Sequence, residues 1–127
     1  MDIIGAGAGK PPAGGPKSPH VIDGTDQTFM ADVIEPSKSV PVIVDFWATW
    51  CGPCRSLGPL LEKVVGENNG AVKMVKIDVD TAPGTAQQFQ VQAVPTLLIV
   101  DKGRVLARKS GAAPLNALRS WLDQSLA

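Results

Sequence analysis

Apolar and polar residues alternate with two different periods along most of the chain. Apolar runs of strand length cover residues 41–47, 71–79 and 96–100, and between them apolar residues recur every three or four positions. The runs are typical of buried strands, whereas the longer period is typical of helices that bury one face. After the last run, Lys102-Gly103 predicts a tight turn into a hairpin strand over residues 104–107. The pattern therefore predicts an α/β sandwich with a mixed sheet.

The ends of four helices are marked by capping residues and prolines. Thr25 is suited to cap a first helix, which Pro36 is expected to end. A long second helix is predicted over residues 51–69, Pro83 opens a short third helix, and Pro114 opens the last. The predicted apolar faces consist of Phe29, Met30, Val33, Ile34, Leu57, Leu60, Leu61, Val64, Val65, Leu115, Leu118, Trp121, Leu122 and Leu126.

Length and charge narrow the class of protein. The 127 residues are enough for one domain with a hydrophobic core, and 12 acidic residues balance 12 basic ones. This balance argues against nucleic acid and against electrostatic attachment to a membrane as partners. The apolar runs are too short to cross a membrane, and residues 1–5 lack the basic start and apolar stretch of a secretory signal. We therefore expect a cytoplasmic protein.

The N-terminal segment has a different composition from the remainder. Residues 5–19 are almost entirely Gly, Ala, Pro, Lys and Ser, which bury too little apolar area to offset the entropy of ordering. We expect residues 1–20 to form a flexible tail and residues 21–127 to form the folded domain. A tail that docks on its own domain or on a partner is the alternative. His20, the only histidine, is expected to be solvated.

The two cysteines are the strongest candidates for chemistry. Cys51 and Cys54 are the only cysteines, and they stand at the start of the predicted long helix, directly after a strand. Unpaired N–H groups and the helix dipole favour a thiolate there, so we expect the pKa of Cys51 to be lowered towards neutrality. Pro53 suits a first helical turn, where no N–H is needed. We predict that Cys51 attacks a partner's disulfide and that Cys54, which should be less exposed, resolves the mixed disulfide.

Two structural interpretations of the cysteine pair remain alternatives. A purely stabilising disulfide would close a very short loop and would restrict the unfolded chain little. A structural zinc ion needs about four ligands, whereas the chain offers one Cys-x-x-Cys and a distant histidine. Only a metal-bridged dimer would complete such a zinc site.

The residues around the cysteines resemble the active-site signature of the thioredoxin family. The similar segments, in order, are Val44-Asp45-Phe46, Trp47-Ala48-Thr49-Trp50-Cys51-Gly52-Pro53-Cys54-Arg55, Pro59, Lys76-Ile77-Asp78-Val79-Asp80, Pro83-Gly84-Thr85-Ala86, Val94-Pro95-Thr96 and Gly111-Ala112. The resemblance covers about residues 21–127. It implies a thioredoxin fold, which is a central five-stranded mixed sheet flanked by four helices.

The same resemblance implies a protein-disulfide reductase. The family is recharged by thioredoxin reductase, an enzyme that uses flavin and NADPH, so this chain itself is expected to need no cofactor and no metal. The implied partners are thioredoxin reductase and disulfide-containing client proteins. We expect the protein to act on them as a monomer.

Two charged residues are assigned a role in proton transfer by the resemblance. Asp45 resembles the family's buried carboxylate behind the second cysteine, and burial would raise its pKa and make it a proton acceptor for Cys54. Lys76 matches the lysine that tunes this carboxylate. Gly52 and Pro53 complete the predicted catalytic set with the two cysteines. Without the resemblance, a solvated aspartate and a lysine that faces water are the alternatives.

A docking surface for client proteins is also implied by the resemblance. Pro95 matches the family's cis-proline, which would leave the backbone polar groups of Val94 free to pair with an extended substrate. A trans proline at a strand edge is the alternative. The other implied docking residues are Trp50, Ala93, Gly111 and Ala112. Trp47 is expected to pack beneath the site, and Trp121 in the core.

Three residues depart from the family's common pattern. Arg55 replaces a lysine and keeps the positive charge, and Ala93 replaces a glycine and would slightly crowd the docking surface. Gln90 stands where many relatives have glycine, so a left-handed conformation there would be mildly strained.

Two other functions use the same fold. A disulfide oxidase or isomerase usually has a histidine between its cysteines, whereas Gly52-Pro53 resembles the reducing branch. A redox-independent binding subunit of a larger assembly would depend on the surface around Trp50, Pro95 and Gly111 rather than on the cysteines.

Overall fold

Five strands form a single sheet in the computed structural model, which describes residues 18–127. They are β1 (Val21–Gly24), β2 (Val42–Trp47), β3 (Lys73–Asp78), β4 (Thr96–Asp101) and β5 (Arg104–Ser110). Their order across the sheet is β1-β3-β2-β4-β5. The pairs β1–β3 and β3–β2 are parallel, whereas β2–β4 and β4–β5 are antiparallel. The predicted mixed five-stranded sheet is therefore confirmed.

The predicted hairpin is confirmed and is longer than expected. Lys102 and Gly103 both have positive φ, 52° and 78°, which suits the two-residue turn of a hairpin with the normal strand twist. β5 continues to Ser110 rather than ending near residue 107. The exposed residues of this edge strand obscure its period in the sequence.

Helices cover both faces of the sheet. A π-helix (Met30–Ile34) continues into the short α1 (Glu35–Ser37), and α2 (Gly52–Glu67), α3 (Pro83–Gln88) and α4 (Leu115–Leu126) follow. One apolar core contains residues of α2 and α4, and a second contains residues of the π-helix and α3. β2 lies between β3 and β4 in the sheet, and its first five residues are all buried. This double burial explains the uninterrupted apolar run in the sequence.

The prediction that Pro36 ends the first helix is wrong. The helical segment continues through Pro36 to Ser37. The N–H of Glu35 bonds to the carbonyl of Met30, five residues back, and this π-turn directly precedes Pro36, which has no N–H to continue the hydrogen-bond ladder. The wider π-turn also departs from the 3.6-residue period, and Met30, predicted on the apolar face, is 62% exposed. The prediction that Thr25 caps the first helix is also wrong: the N-cap is Phe29, without a side-chain cap, and Thr25 Oγ1 accepts from the N–H of Thr28 in the turn before the helix.

The first residues that the structure describes include His20. The carbonyl of His20 accepts from the N–H of Met74, and its half-buried imidazole lies beside Gly70 rather than being fully solvated. The predicted flexible tail lies outside the described residues, except for its last three. Within residues 18–127, no helix combines the length and the apolar character that crossing a membrane requires.

Asp26 joins the start of α3 to the loop after β1. Its carboxylate accepts hydrogen bonds from the N–H groups of Gly84 and Thr85 and from the Thr85 hydroxyl, at 3.1, 2.7 and 2.6 Å. The Thr85 hydroxyl, followed by the backbone N–H groups, lowers the pKa of Asp26 below 3.8. Because the pKa of Asp26 is lower in the folded protein, its carboxylate stabilises the fold at pH values above its pKa in the unfolded chain. This stabilisation is lost as the pH falls through its pKa in the folded protein.

We expect Asp26→Ala to lower the Tm by several degrees at pH 7, because three donors at the start of α3 lose their acceptor. The difference from the wild type should shrink as the pH falls below 3.8. Thermal unfolding followed by circular dichroism at several pH values measures both effects. Asp123→Ala, at an exposed position on α4, is the matched control, and an equal loss in that variant would contradict the role of Asp26.

Candidate active site

A disulfide joins Cys51 and Cys54 at the first turn of α2. Cys51 is the N-cap residue, with extended backbone, and its Sγ accepts a hydrogen bond from the N–H of Cys54 at 3.2 Å. In helices this position is usually taken by an oxygen that accepts from the free N–H groups of the first turn. The Cys51 sulfur is therefore placed where a helix start stabilises negative charge. Pro53 lies in this turn, as predicted.

The expected difference in exposure between the two cysteines is absent. Cys51 and Cys54 are each only 4% exposed, so the prediction that Cys54 is less exposed is wrong for the disulfide form. Both sulfurs belong to a small apolar cluster with Ala48, against which Trp47 and Val94 pack. The carbonyl oxygen of Val94 lies 3.8 Å from the Cys51 sulfur.

The loop before the cysteines is held by two side chains. Trp50 is 67% exposed, and its Nε1–H donates to Oδ2 of Asp80 at 2.9 Å. Arg55 donates from Nη1 to the carbonyl of Thr49 at 3.0 Å. Sequence reasoning missed Asp80 as a site residue. The available signal was its place just beyond β3, whose carboxyl end lies beside that of β2 because the two strands are parallel.

A buried acid lies on the strand that leads to the cysteines. Asp45 is 2% exposed, and burial away from water raises its pKa to about 7. The charge of Lys76, opposite Asp45 in the β2–β3 register, lowers this pKa, and the charge of Glu62 raises it further. Within the described part of the chain, the Asp45 carboxylate has no hydrogen-bond donor.

Lys76 occupies a half-buried position between a helix and an aromatic ring. Its Nζ lies 3.6 Å from Oε2 of Glu62 and 5.1 Å from the centroid of the Trp47 ring. Trp47 is half-buried beneath the site, as predicted. Glu62 was missed by sequence reasoning, because an acid on a helix is usually solvated and only the contact with Lys76 distinguishes it.

The predicted docking residues lie on adjoining loops. The Val94–Pro95 bond is cis, as expected, and the carbonyl of Pro95 accepts from the N–H of Gly111 at 2.9 Å. Gly111 has a φ of +87°, which glycine adopts readily. Ala93 and Ala112 are exposed. The structure thus connects Val94, Pro95 and Gly111 to Cys51, whereas the hydrogen bond of Trp50 leads to Asp80 on another loop.

The departure at Gln90 has the expected geometry. Its φ is +54°, in the left-handed region that disfavours residues other than glycine.

As for metal binding, residues 18–127 contain no cluster of three or more His, Cys, Asp or Glu side chains that could hold an ion.

Comparison with known proteins gives a consistent result. A family model described as thioredoxin matches residues 20–124. Thioredoxin C-2 of Corynebacterium nephridii is 40% identical over 109 residues, which cover 86% of this chain and 99% of that protein. Thioredoxin 2 of Chlorobaculum tepidum is 39% identical over 104 residues, which cover 82% and 94%.

A longer relative combines two activities in its name. The bifunctional thioredoxin reductase/thioredoxin of Mycobacterium leprae is 44% identical over 97 residues, which cover 76% of this chain and 21% of that protein. The sheet order, the disulfide at the start of α2 and the matches over most of the chain agree with one another. This chain therefore belongs to the thioredoxin family of protein-disulfide oxidoreductases.

Proposed function

We propose that this protein reduces disulfides of client proteins by dithiol–disulfide exchange, with Cys51 as the attacking and Cys54 as the resolving residue. The observation that carries the proposal is the position of the Cys51 sulfur, which is the N-cap acceptor of α2 and also lies beside the Val94 carbonyl. A sulfur in this position combines stabilisation as a thiolate with access to a neighbouring backbone edge.

The reaction transfers two electrons in two exchange steps. The Cys51 thiolate attacks one client sulfur, the client disulfide breaks, and its other sulfur leaves as a thiolate that takes up a proton. The Cys54 thiol then loses its proton and attacks the Cys51 sulfur. The mixed disulfide breaks, the second client thiolate leaves and is protonated, and the Cys51–Cys54 disulfide forms.

Asp45 accepts the proton of Cys54 in the second step. A carboxylate whose pKa is near 7 can take up and release protons at neutral pH, which suits a general base. In the disulfide form, no hydrogen bond links Asp45 to either cysteine within residues 18–127. Lys76 adjusts the proton affinity of Asp45, while Glu62 pairs with part of the Lys76 charge.

The client chain docks as an extended segment along Val94. Within the described chain, neither the N–H nor the carbonyl of Val94 has a backbone partner, so both are available to a client strand. The small residues Ala93, Gly111 and Ala112 admit a second backbone. Trp50, directly before Cys51, supplies an exposed aromatic surface.

Thioredoxin reductase regenerates the dithiol with electrons from NADPH. The relative from Mycobacterium leprae, named as a thioredoxin reductase and a thioredoxin in one protein, supports this partner. The reducing direction is supported by Gly52-Pro53, because no histidine stands between the cysteines to favour the reduced form. The nicotinamide and the flavin belong to the reductase, and the present chain acts as a cytoplasmic monomer.

A redox titration of the Cys51–Cys54 pair, combined with an insulin reduction assay, tests the proposed function. We expect insulin reduction that requires both NADPH and thioredoxin reductase. The reduction potential of the Cys51–Cys54 pair should be about −270 mV, the value typical of thioredoxins. A potential near about −120 mV would indicate an oxidase instead. Full biological rescue by a variant with both cysteines replaced by serine would favour a binding subunit.

A further inference from the structure

The segment that carries Val94 begins at an unusual helix end. We call residues 90–95 the docking loop. At the end of α3, the N–H of Val91 donates to the carbonyl of Ala86 at 2.9 Å. The N–H of Gln90 donates to the carbonyl of Gln87 at 3.0 Å. This pair of hydrogen bonds is a Schellman motif, which requires a left-handed residue directly after the C-cap residue, here Phe89, and usually has glycine there. Here the residue is Gln90, whose side chain disfavours this conformation.

A side chain from the edge strand holds this helix end. Arg108 of β5 donates from Nη1 to the carbonyl of Phe89 at 2.6 Å and from Nη2 to the carbonyl of Gln90 at 3.0 Å. A guanidinium group has a planar fork of donors that suits two neighbouring acceptors. Carbonyl groups at a helix C-terminus also carry partial negative charge, so a cation is favoured there.

The remainder of the docking loop has further hydrogen bonds on both sides of Val94. The hydroxyl of Thr96 donates to the carbonyl of Ala93 at 2.7 Å, and the N–H of Gly111 donates to the carbonyl of Pro95. Within residues 18–127 the Val94 carbonyl has no hydrogen-bond donor, and its oxygen lies 3.8 Å from the Cys51 sulfur, which has no proton to donate in the disulfide. The direction of the loop at Gln90 therefore affects where the Val94 backbone meets a client.

We propose that Arg108 is a positioning residue for client binding, which holds the left-handed turn at Gln90 and thereby keeps the Val94 backbone beside Cys51. This inference rests on the proposed function, because it concerns the docking of the client strand. Arg108 does not touch the reacting sulfurs, so its loss should weaken client binding and leave the exchange steps themselves intact.

Steady-state kinetics of the full chain with insulin, NADPH and thioredoxin reductase test the proposal. We expect Arg108→Met to raise the KM for insulin about three- to tenfold with little change in kcat, since two hydrogen bonds to the turn are lost. Arg104→Met removes the same charge from the same strand, where no hydrogen bond of the Arg104 side chain is found among the described residues, and should leave both constants unchanged. A KM for Arg108→Met equal to that of Arg104→Met would overturn the proposal.

A second substitution tests the proposed cause. Gln90→Gly supplies a residue that adopts the left-handed turn without strain, so the double variant Gln90→Gly/Arg108→Met should recover a KM close to that of the wild type. If the double variant is as impaired as Arg108→Met alone, Arg108 does not act through the turn at Gln90, and the proposal fails.

Hydrogen exchange separates failure of this inference from failure of the proposed function. If the wild type does not reduce insulin under these conditions, the proposed function fails, while exchange still tests the role of Arg108 in the loop. We expect Arg108→Met to accelerate exchange of the Val91 amide several-fold and to leave that of the core residue Ile99 unchanged. Equal acceleration at both amides would indicate a general loss of stability and would contradict a positioning role.

Discussion

Cys51→Ser is expected to abolish client reduction, whereas Cys54→Ser is expected to stop the reaction one step later. Without the Cys51 sulfur no mixed disulfide forms, and turnover should fall by at least about a thousandfold. With Cys51 present and Cys54 absent, the first exchange still occurs, but no second thiol is available to release the client. A covalent complex of the protein and its client should therefore accumulate.

The two cysteine variants control for each other. Both lack the Cys51–Cys54 disulfide, so any loss of stability that follows from the missing cross-link is common to them. Mass spectrometry of the reaction mixture distinguishes them, because only Cys54→Ser should show the covalent complex, and added dithiothreitol should release it. Normal turnover in Cys54→Ser, or a client trapped on Cys54 in the Cys51→Ser variant, would contradict the assigned roles.

Asp45→Asn is expected to stabilise the protein at neutral pH and to slow the resolving step. Burial raises the pKa of Asp45 from 3.8 to about 7, so the folded protein keeps this proton over a range in which the unfolded chain has lost it. Stability of the wild type should therefore fall as the pH rises from about 4 to 7, and should then level off. A shift of this size corresponds to a loss on the order of 4 kcal/mol.

The expected gain in stability is smaller than this loss. The asparagine amide is also buried, and no donor within residues 18–127 bonds to the Asp45 carboxylate, so an amide would keep part of the cost of desolvation. We expect Asp45→Asn to raise the Tm by roughly 5 to 15 °C at pH 8 and to have little effect at pH 4. Asp123→Asn, which changes an exposed carboxylate, should alter neither value. Equal Tm values for Asp45→Asn and the wild type at pH 8 would contradict the raised pKa.

Asp45→Asn should lower the activity of the protein although it raises its stability. Release of client from the mixed disulfide needs a base that accepts the Cys54 proton. Loss of the Asp45 carboxylate should therefore slow this release by about ten- to a hundredfold at pH 7. Rapid-quench measurement of client release gives the rate directly. In the wild type this rate should rise as the pH increases through about 7, whereas Asp45→Asn should lack that rise. An unchanged pH profile in Asp45→Asn would show that another group accepts the proton.

Long elements with one dominant period were predicted well from the sequence. α2 and the central strand β2 have strong apolar patterns, since each buries a large part of its surface. β1 was not recognised from the pattern, because it has four residues and only Val21 and Gly24 are buried. Pro36 was misread as a helix end, because the π-turn before it has no recognisable period in so short a segment.

For the site, local sequence and tertiary structure supplied different parts. The two cysteines, the helix start beneath them and the proline between them are adjacent along the chain, so their chemistry follows from local helix geometry. The resemblance to a family extended the prediction to Asp45, Lys76 and Pro95. The equal burial of Cys51 and Cys54 was not foreseen, since Val94, which covers Cys51, is 43 residues away in sequence.

The contacts that complete the site join residues that are far apart in the chain. Asp80 binds Trp50 over 30 residues, Arg108 binds the carbonyl of Phe89 over 19 residues, and Lys76 pairs with Glu62. Each of these contacts depends on which strands are neighbours and in what register, and the period of a single strand or helix contains no such information. Local periodicity is sufficient for the long elements and for the place of Cys51 at a helix start, whereas the proton affinity of Asp45 and the position of the docking loop arise only when the sheet brings distant groups together.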